Sequence, residues 1–409
     1  MKFRKGDDRQ VGFPQVGFGP RLAIYYGAIF FFIGAFMPYF PVWLEWRGMS
    51  PSEISLVFAL PTFVRILSTP VISYAADRLG NTRTILIILA LGSLGTIIAL
   101  FWATSFNMIL LNALIFALFW TSIMPLTEAI TMTGVRRDGL DYGRIRLWGS
   151  LAYIVASFAG GIIIQQYGPS SPVWLMLIAI IYVVVAGFFL PKPTGEGRVR
   201  KATLPPIIRT SEIWGLVKSP TFIIFIIAAS AMQTTHAVYY LFATLHWQSL
   251  GYSGATIGAL WAIGVIAEIL LFAWSKPLLA RWGTTNLLII SGVIAALRWA
   301  IMATDPPLGL LFPLQCLHAF TFGAAHLAAI HYISDNVPEH LGATAQGLYA
   351  SASAGIFMGL AMIIAGPLYD AMGAGAYFVM SAIGAVGALA AIILAFMNRR
   401  AITKMRENT

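Results

Sequence analysis

The chain has 409 residues, of which 58% are hydrophobic and only 10% charged, with a formal net charge of +10. A soluble protein is about a quarter charged, so this composition excludes a soluble globular domain. Apolar runs of about 20 residues, the length that crosses a bilayer, recur along the whole chain. The positive charge is therefore read as the basic loops of a membrane protein and not as a nucleic-acid surface, and no nucleic-acid partner is expected.

Taken in order, the sequence predicts twelve spans, at about 21–44, 53–76, 83–103, 106–133, 145–167, 172–190, 219–248, 253–274, 284–303, 307–333, 341–365 and 373–397. Residues 1–20 form a polar, basic tail. The first apolar run is too long for a signal-peptide core and is expected to remain as a helix. The widest gap, 191–218, carries Pro191, Pro193, Pro205, Pro206 and six basic residues. It divides the chain into an N-terminal half (21–190) and a C-terminal half (219–397), and residues 398–409 form a second tail. With the N-terminus inside, all 26 Lys and Arg except Arg47, Arg65 and Arg298 fall in the tails, in the even-to-odd loops or at the span ends that border them. This bias predicts both termini and the central loop in the cytoplasm, and a multi-pass protein of the inner membrane. The single cysteine, Cys316, excludes a disulfide within the chain.

The halves repeat. A shift of 203 positions places Gly48 on Gly251, Ser50 on Ser253, Ile54 on Ile257, Arg78 on Arg281, Gly80 on Gly283 and Thr82 on Thr285. The same shift places Arg65 on Glu268, so equivalent positions carry opposite charges. A six-plus-six parallel repeat is the plan of two-halved alternating-access transporters, whose site lies near the midplane between the halves.

Charges left inside apolar runs mark the candidate site, because each is costly unless it is used. Glu128 ends the fourth span, and Arg144 and Arg146 begin the fifth across a short loop, so Glu128 and Arg146 are expected to meet. Arg65 in the second span has no acid at helical spacing. Glu268 lies in the eighth span about two-thirds of the way toward the cytoplasm. Burial raises a carboxylate pKa and an arginine lowers it, so a carboxylate that exchanges an arginine for a proton is a minimal coupling device, with Arg298 its expected partner. His236 is mid-span in the seventh. His318, His326 and His331 lie in the tenth, with His318, Phe322 and His326 spaced four apart on one face. No Cys or carboxylate joins these histidines at ligand spacing, so neither a metal nor a cofactor is expected. Glu268, Arg298 and His318 are assigned to proton coupling. Glu128, Arg146, Arg65 and His236 are assigned to substrate. HExxH, GxSxG and phosphate-cradling loops are absent from the sequence, so no enzymatic activity is expected.

The loop Asp77–Arg78–Leu79–Gly80–Asn81–Thr82–Arg83 resembles the D-R-x-G-x-x-R signature of the major facilitator superfamily, which implies the all-α, twelve-helix, two-half fold and a conformational role for Asp77, Arg78 and Gly80. The stretch from Pro125 through Glu128, Arg136–Arg137, Gly143–Arg144 and Arg146 to Gly149 resembles the lactose permease branch. That resemblance implies a substrate-binding charge pair of Glu128 and Arg146, and functional roles for Glu268, Arg298 and His318. One position departs: the branch's coupling carboxylate, three residues after the histidine, is Thr321 here. The segments 140–150, 236–240, 251–272 and 317–333 look like the phenylpropionate permease family. Together these imply a proton-coupled importer of a small organic solute such as an aromatic carboxylate; separately, a monomer in the bilayer is expected. The alternatives are a sugar, oligosaccharide or nucleoside symporter, or a drug–proton antiporter.

Overall fold

A computed structural model describes residues 17–191 and 209–407, with side chains described to residue 399. Most of the basic central loop and the end of each tail lie outside the described residues. The described chain is helical, with eleven apolar stretches long enough to cross a membrane. The last of these, Glu339–Arg399, is 61 residues long and is divided by a tight turn at Gly373–Gly375. It therefore supplies two spans, and the total is twelve.

We number the spans α1 Phe18–Trp46, α2 Pro51–Leu79, α3 Thr82–Ala99, α4 Phe106–Asp138, α5 Tyr142–Tyr167, α6 Pro172–Phe189, α7 Pro220–Ser249, α8 Gly254–Ala273, α9 Ser275–Met302 and α10 Leu308–Asn336. α11 covers 342–372 and α12 is Ala376–Glu407. Several helices run beyond their sequence-derived limits. α5 begins at Tyr142 because Asp141 caps it, accepting from the Arg144 backbone N–H at 3.1 Å, so Arg144 lies inside the helix. Within the stretch expected to be loop, Thr210–Lys218 is a short helix.

The internal repeat appears as matched backbone conformations. Gly48 and Gly251 both have positive φ (82° and 79°), as do Gly80 and Gly283 (62° and 70°). These are left-handed positions that favour a residue without a Cβ. Ser50 and Ser253 each cap the following helix, accepting from the backbone N–H of Glu53 and Thr256. Gly283 also breaks α9, so its regular membrane segment begins beyond that residue.

The first and fourth helices of each half are interrupted near their middles, at 37–39 in α1, 121–122 in α4, 235–236 in α7 and 317 in α10. α10 continues through a π-helical segment, Ala319–Ala324, and α11 contains another, Ser351–Phe357. π-helical turns free backbone groups and re-aim side chains, and they are frequent at functional sites.

The two halves meet mainly through α5 on α8 and α2 on α11, a pairing that the pseudo-symmetry maps onto itself. Glycine permits the approach. A Cβ on Gly161 of α5 would overlap the carbonyl of Gly254 on α8, and the converse also holds. A Cβ on Gly366 of α11 would collide with Ser55 and Pro51 of α2. All four glycine and serine positions lie near the ends of the helices opposite the basic loops. The halves are thus closed at that end, and the inter-half cavity lies on the basic side of these contacts.

Candidate functional site

The central cavity has a volume of about 590 Å³ and lies between the halves. It is lined by charged groups from α2 (Arg65), α5 (Arg146) and α8 (Glu268), and by His318 and His326 of α10. Tyr239 and Tyr240, just after the break in α7, form part of the wall.

On the C-terminal side, Glu268 meets His318: Oε2 lies 3.6 Å from Nε2. The His318 ring stacks on Phe322, with centroids 5.2 Å apart, and Phe322 in turn stacks on His326. The expected partner, Arg298, is elsewhere in this structure. It is fully buried, and it donates to Thr321 Oγ1 and Gln315 Oε1, each at 2.8 Å. Its guanidinium lies 4.2 Å from the centroid of the Trp299 ring and 5.3 Å from that of Tyr239. Residue 321 is one of its two hydrogen-bond acceptors. Where the lactose permease-like pattern implies a carboxylate, a hydroxyl stands, and it accepts from the arginine without neutralising it.

His236 is also fully buried and does not line the cavity. Its Nδ1 lies 3.2 Å from the Met232 carbonyl, and its Nε2 lies 3.2 Å from Thr321 Oγ1. One proton arrangement satisfies all these groups. Nδ1–H donates to Met232, Nε2 accepts from the Thr321 hydroxyl, and the hydroxyl's lone pair receives Arg298. In this structure His236, expected at the substrate, shares Thr321 Oγ1 with Arg298 behind the cavity wall.

On the N-terminal side, Glu128 and Arg146 come near each other without forming an ion pair. Tyr142 stands between them: its hydroxyl donates to Glu128 Oε1 at 3.1 Å, and Arg146 and Tyr26 are further polar neighbours. The Arg146 guanidinium lies over the Phe30 ring at 3.8 Å. Across the cavity it faces Glu268 and His326. Tyr142 was missed in the sequence, although it sits four residues before Arg146 and hence on the same helical face. Gln315 was missed as well, although an amide within an apolar run is itself a signal.

Arg65 lines the cavity and makes no hydrogen bond or ion pair with any described residue. In the loop after α2, Gly80 closes the helix in the left-handed conformation, its N–H donating to the Ala76 carbonyl at 3.0 Å. Asp77 and Arg78 are exposed. Arg83 reaches across to the Phe188 carbonyl of α6 at 2.5 Å. Among the described residues there is no group of three His, Cys, Asp or Glu that would hold a metal.

A chain of twelve apolar helices in two repeated halves around a charged cavity matches the MFS_1 like family model over residues 20–380. The chain belongs to that family. It is 31% identical over 363 residues to the probable 3-phenylpropionic acid transporter of Escherichia coli (strain K12), covering 88% of this chain and 93% of the relative. It is 26% identical to the maltose permease of Geobacillus stearothermophilus, over 92% of this chain and 95% of that one. The crystal structure of the nucleoside transporter NupG superposes with a TM-score of 0.76 at 18% identity, covering 93% of this chain and 98% of that chain. The MFS_1-like protein is thus a multi-pass membrane transporter and not an enzyme. The relatives handle solutes of different chemistry, so the substrate has to be argued from the cavity.

Proposed function

We propose that this MFS_1-like protein takes up a small aromatic carboxylate, of the phenylpropionate type, in symport with protons and by alternating access. It would sit in the inner membrane with both termini and the central loop in the cytoplasm, so that the cavity faces inward. The observation that carries the reading is the charge balance of the cavity. Among the described residues Arg65 lacks a protein partner, Arg146 rests on an aromatic ring, and Arg298, buried behind the wall, has only neutral hydrogen-bond acceptors. The carboxylate on the wall, Glu268, is next to His318. A cation in a low-dielectric cavity is expensive without compensation, and the planar fork of arginine is matched to a carboxylate. The relative described as a 3-phenylpropionic acid transporter supports the same class.

The proton would be carried by Glu268 with His318. When Glu268 is ionised it balances one of the cavity arginines. When it is protonated it leaves that arginine to the substrate, so the two ligands are coupled through charge. Asp77, Arg78 and Gly80 would act in the rearrangement of the loop ends as the halves rock. A neutral sugar or nucleoside is the second reading, favoured by the Glu128–Tyr142–Arg146 group, which offers paired donors and acceptors to hydroxyls.

Flux into proteoliposomes under an imposed pH gradient tests both. Accumulation of radiolabelled 3-phenylpropionate with the gradient, and its loss when a protonophore is added, is the expected result. Gradient-driven accumulation of a sugar or nucleoside, with the acid ignored, overturns it.

A further inference from the structure

A second cavity of about 230 Å³ lies beside the central one, walled mostly by the N-terminal half with α11 closing one side, on the closed side of Arg65. Its walls include Phe36 of α1, Phe58 of α2, and Phe116 and Trp120 of α4. These rings already pack on one another: Phe36 on Phe58 with centroids 5.4 Å apart, and Phe116 on Trp120 at 5.6 Å. The polar groups in the wall are engaged elsewhere. Asn112 Nδ2 donates to the Thr96 carbonyl at 3.0 Å, Thr121 Oγ1 to Ala117 at 2.8 Å, and Thr62 Oγ1 to Ala59 at 2.7 Å. Arg65 is the exception. It lines both cavities and so stands at the seam between them.

Apolar cavities of about 150 Å³ stay dry and take up benzene. The space here exceeds that by enough for a short alkyl chain, with a cation at the end of the path. Aromatic rings prefer edge-to-face or offset contact with other rings, and this wall offers several at once. A sugar would place its hydroxyls against rings, where the nearby polar side chains are already bonded.

We propose that this pocket is the aryl subsite of the transporter: the ring of an arylalkanoate enters among Phe36, Phe58, Phe116 and Trp120, and its carboxylate stays on Arg65. The assignment rests on the aromatic-carboxylate reading above and adds where each part of the molecule binds. It also ties binding to the transport cycle. Ala354 and Met362 of α11 contribute to the pocket wall, so the ring is enclosed by both halves and its presence strengthens the contact of α2 with α11.

The test is equilibrium binding of 3-phenylpropionate and of propionate to the purified full chain in lipid nanodiscs. The unmodified protein should bind the aryl acid about ten-fold or more tightly than propionate, the gain expected from burying one ring. Arg65→Gln should lose both acids. Ala113→Phe, which places a ring in the pocket, should bring 3-phenylpropionate down to the level of propionate. Phe116→Ala, which enlarges the pocket, should turn the preference toward naphthylpropionate and decides the matter if Ala113→Phe fails to fold. If both pocket variants keep the wild-type preference for 3-phenylpropionate, the subsite assignment is wrong while the substrate class stands. If the unmodified protein binds neither acid, the substrate class falls and the subsite with it.

Discussion

Glu268 and Arg298 were expected as a pair, and the structure gives each a different neighbour. Glu268 faces His318 across 3.6 Å on the cavity wall, while Arg298 is held by Thr321 and Gln315 behind it. Two experiments follow at this scale. Glu268→Gln keeps the shape and removes the ionisable group, so it should abolish accumulation driven by a pH gradient while counterflow exchange of preloaded substrate persists. Accumulation equal to wild type would make Glu268 structural only. Thr321→Val removes the acceptor of a buried cation, and a buried charged group that loses a hydrogen bond costs about 1.5–3 kcal/mol. A lowered melting temperature in detergent is expected, and an unchanged one would show that Gln315 and the aromatic rings suffice for Arg298.

The elements that matter most are those whose regularity fails. The first and fourth helices of each half break near the middle, and the π-helical segments fall on α10 and α11 at the cavity. The α5–α8 contact depends on backbones meeting without side chains at Gly161 and Gly254. Gly161→Val should oppose that closure, since forcing bulk into a packed contact costs about 1–3 kcal/mol. The population should then shift toward a form open at the end away from the basic loops. Labelling of a cysteine placed at Gln248, on the outer pocket between the halves, reads this: faster labelling in the Gly161→Val background is expected, and an unchanged rate would mean that the contact does not hold the gate.

At the scale of the whole molecule, the distribution of basic residues predicts the orientation. With the central loop in the cytoplasm, a cysteine at Ser211 should resist impermeant maleimide in intact cells and react after the membrane is made permeable. Labelling from outside would invert the topology and, with it, the direction that the cavity faces.

Much of this architecture was legible from the chain alone, because lipid imposes local rules. Every span must satisfy its own backbone, so apolar length marks helices. The 203-residue repeat marks two halves, and its glycines at 48, 80, 251 and 283 need a backbone that few other residues adopt. The charges on the cavity wall were legible too, since an ionisable residue in an apolar run stands out at single positions. What remained hidden depends on distances between helices. The exchange of Arg298's partner, the burial of His236 and the position of Tyr142 between Glu128 and Arg146 follow from how helices rotate and break. The aromatic pocket is assembled from α1, α2, α3, α4, α6 and α11, where each phenylalanine is, along the sequence, one more apolar residue in a membrane span. Side chains tens or hundreds of positions apart form a cavity only once the helices pack, so the tertiary structure alone places those rings around one space and Arg65 at its mouth.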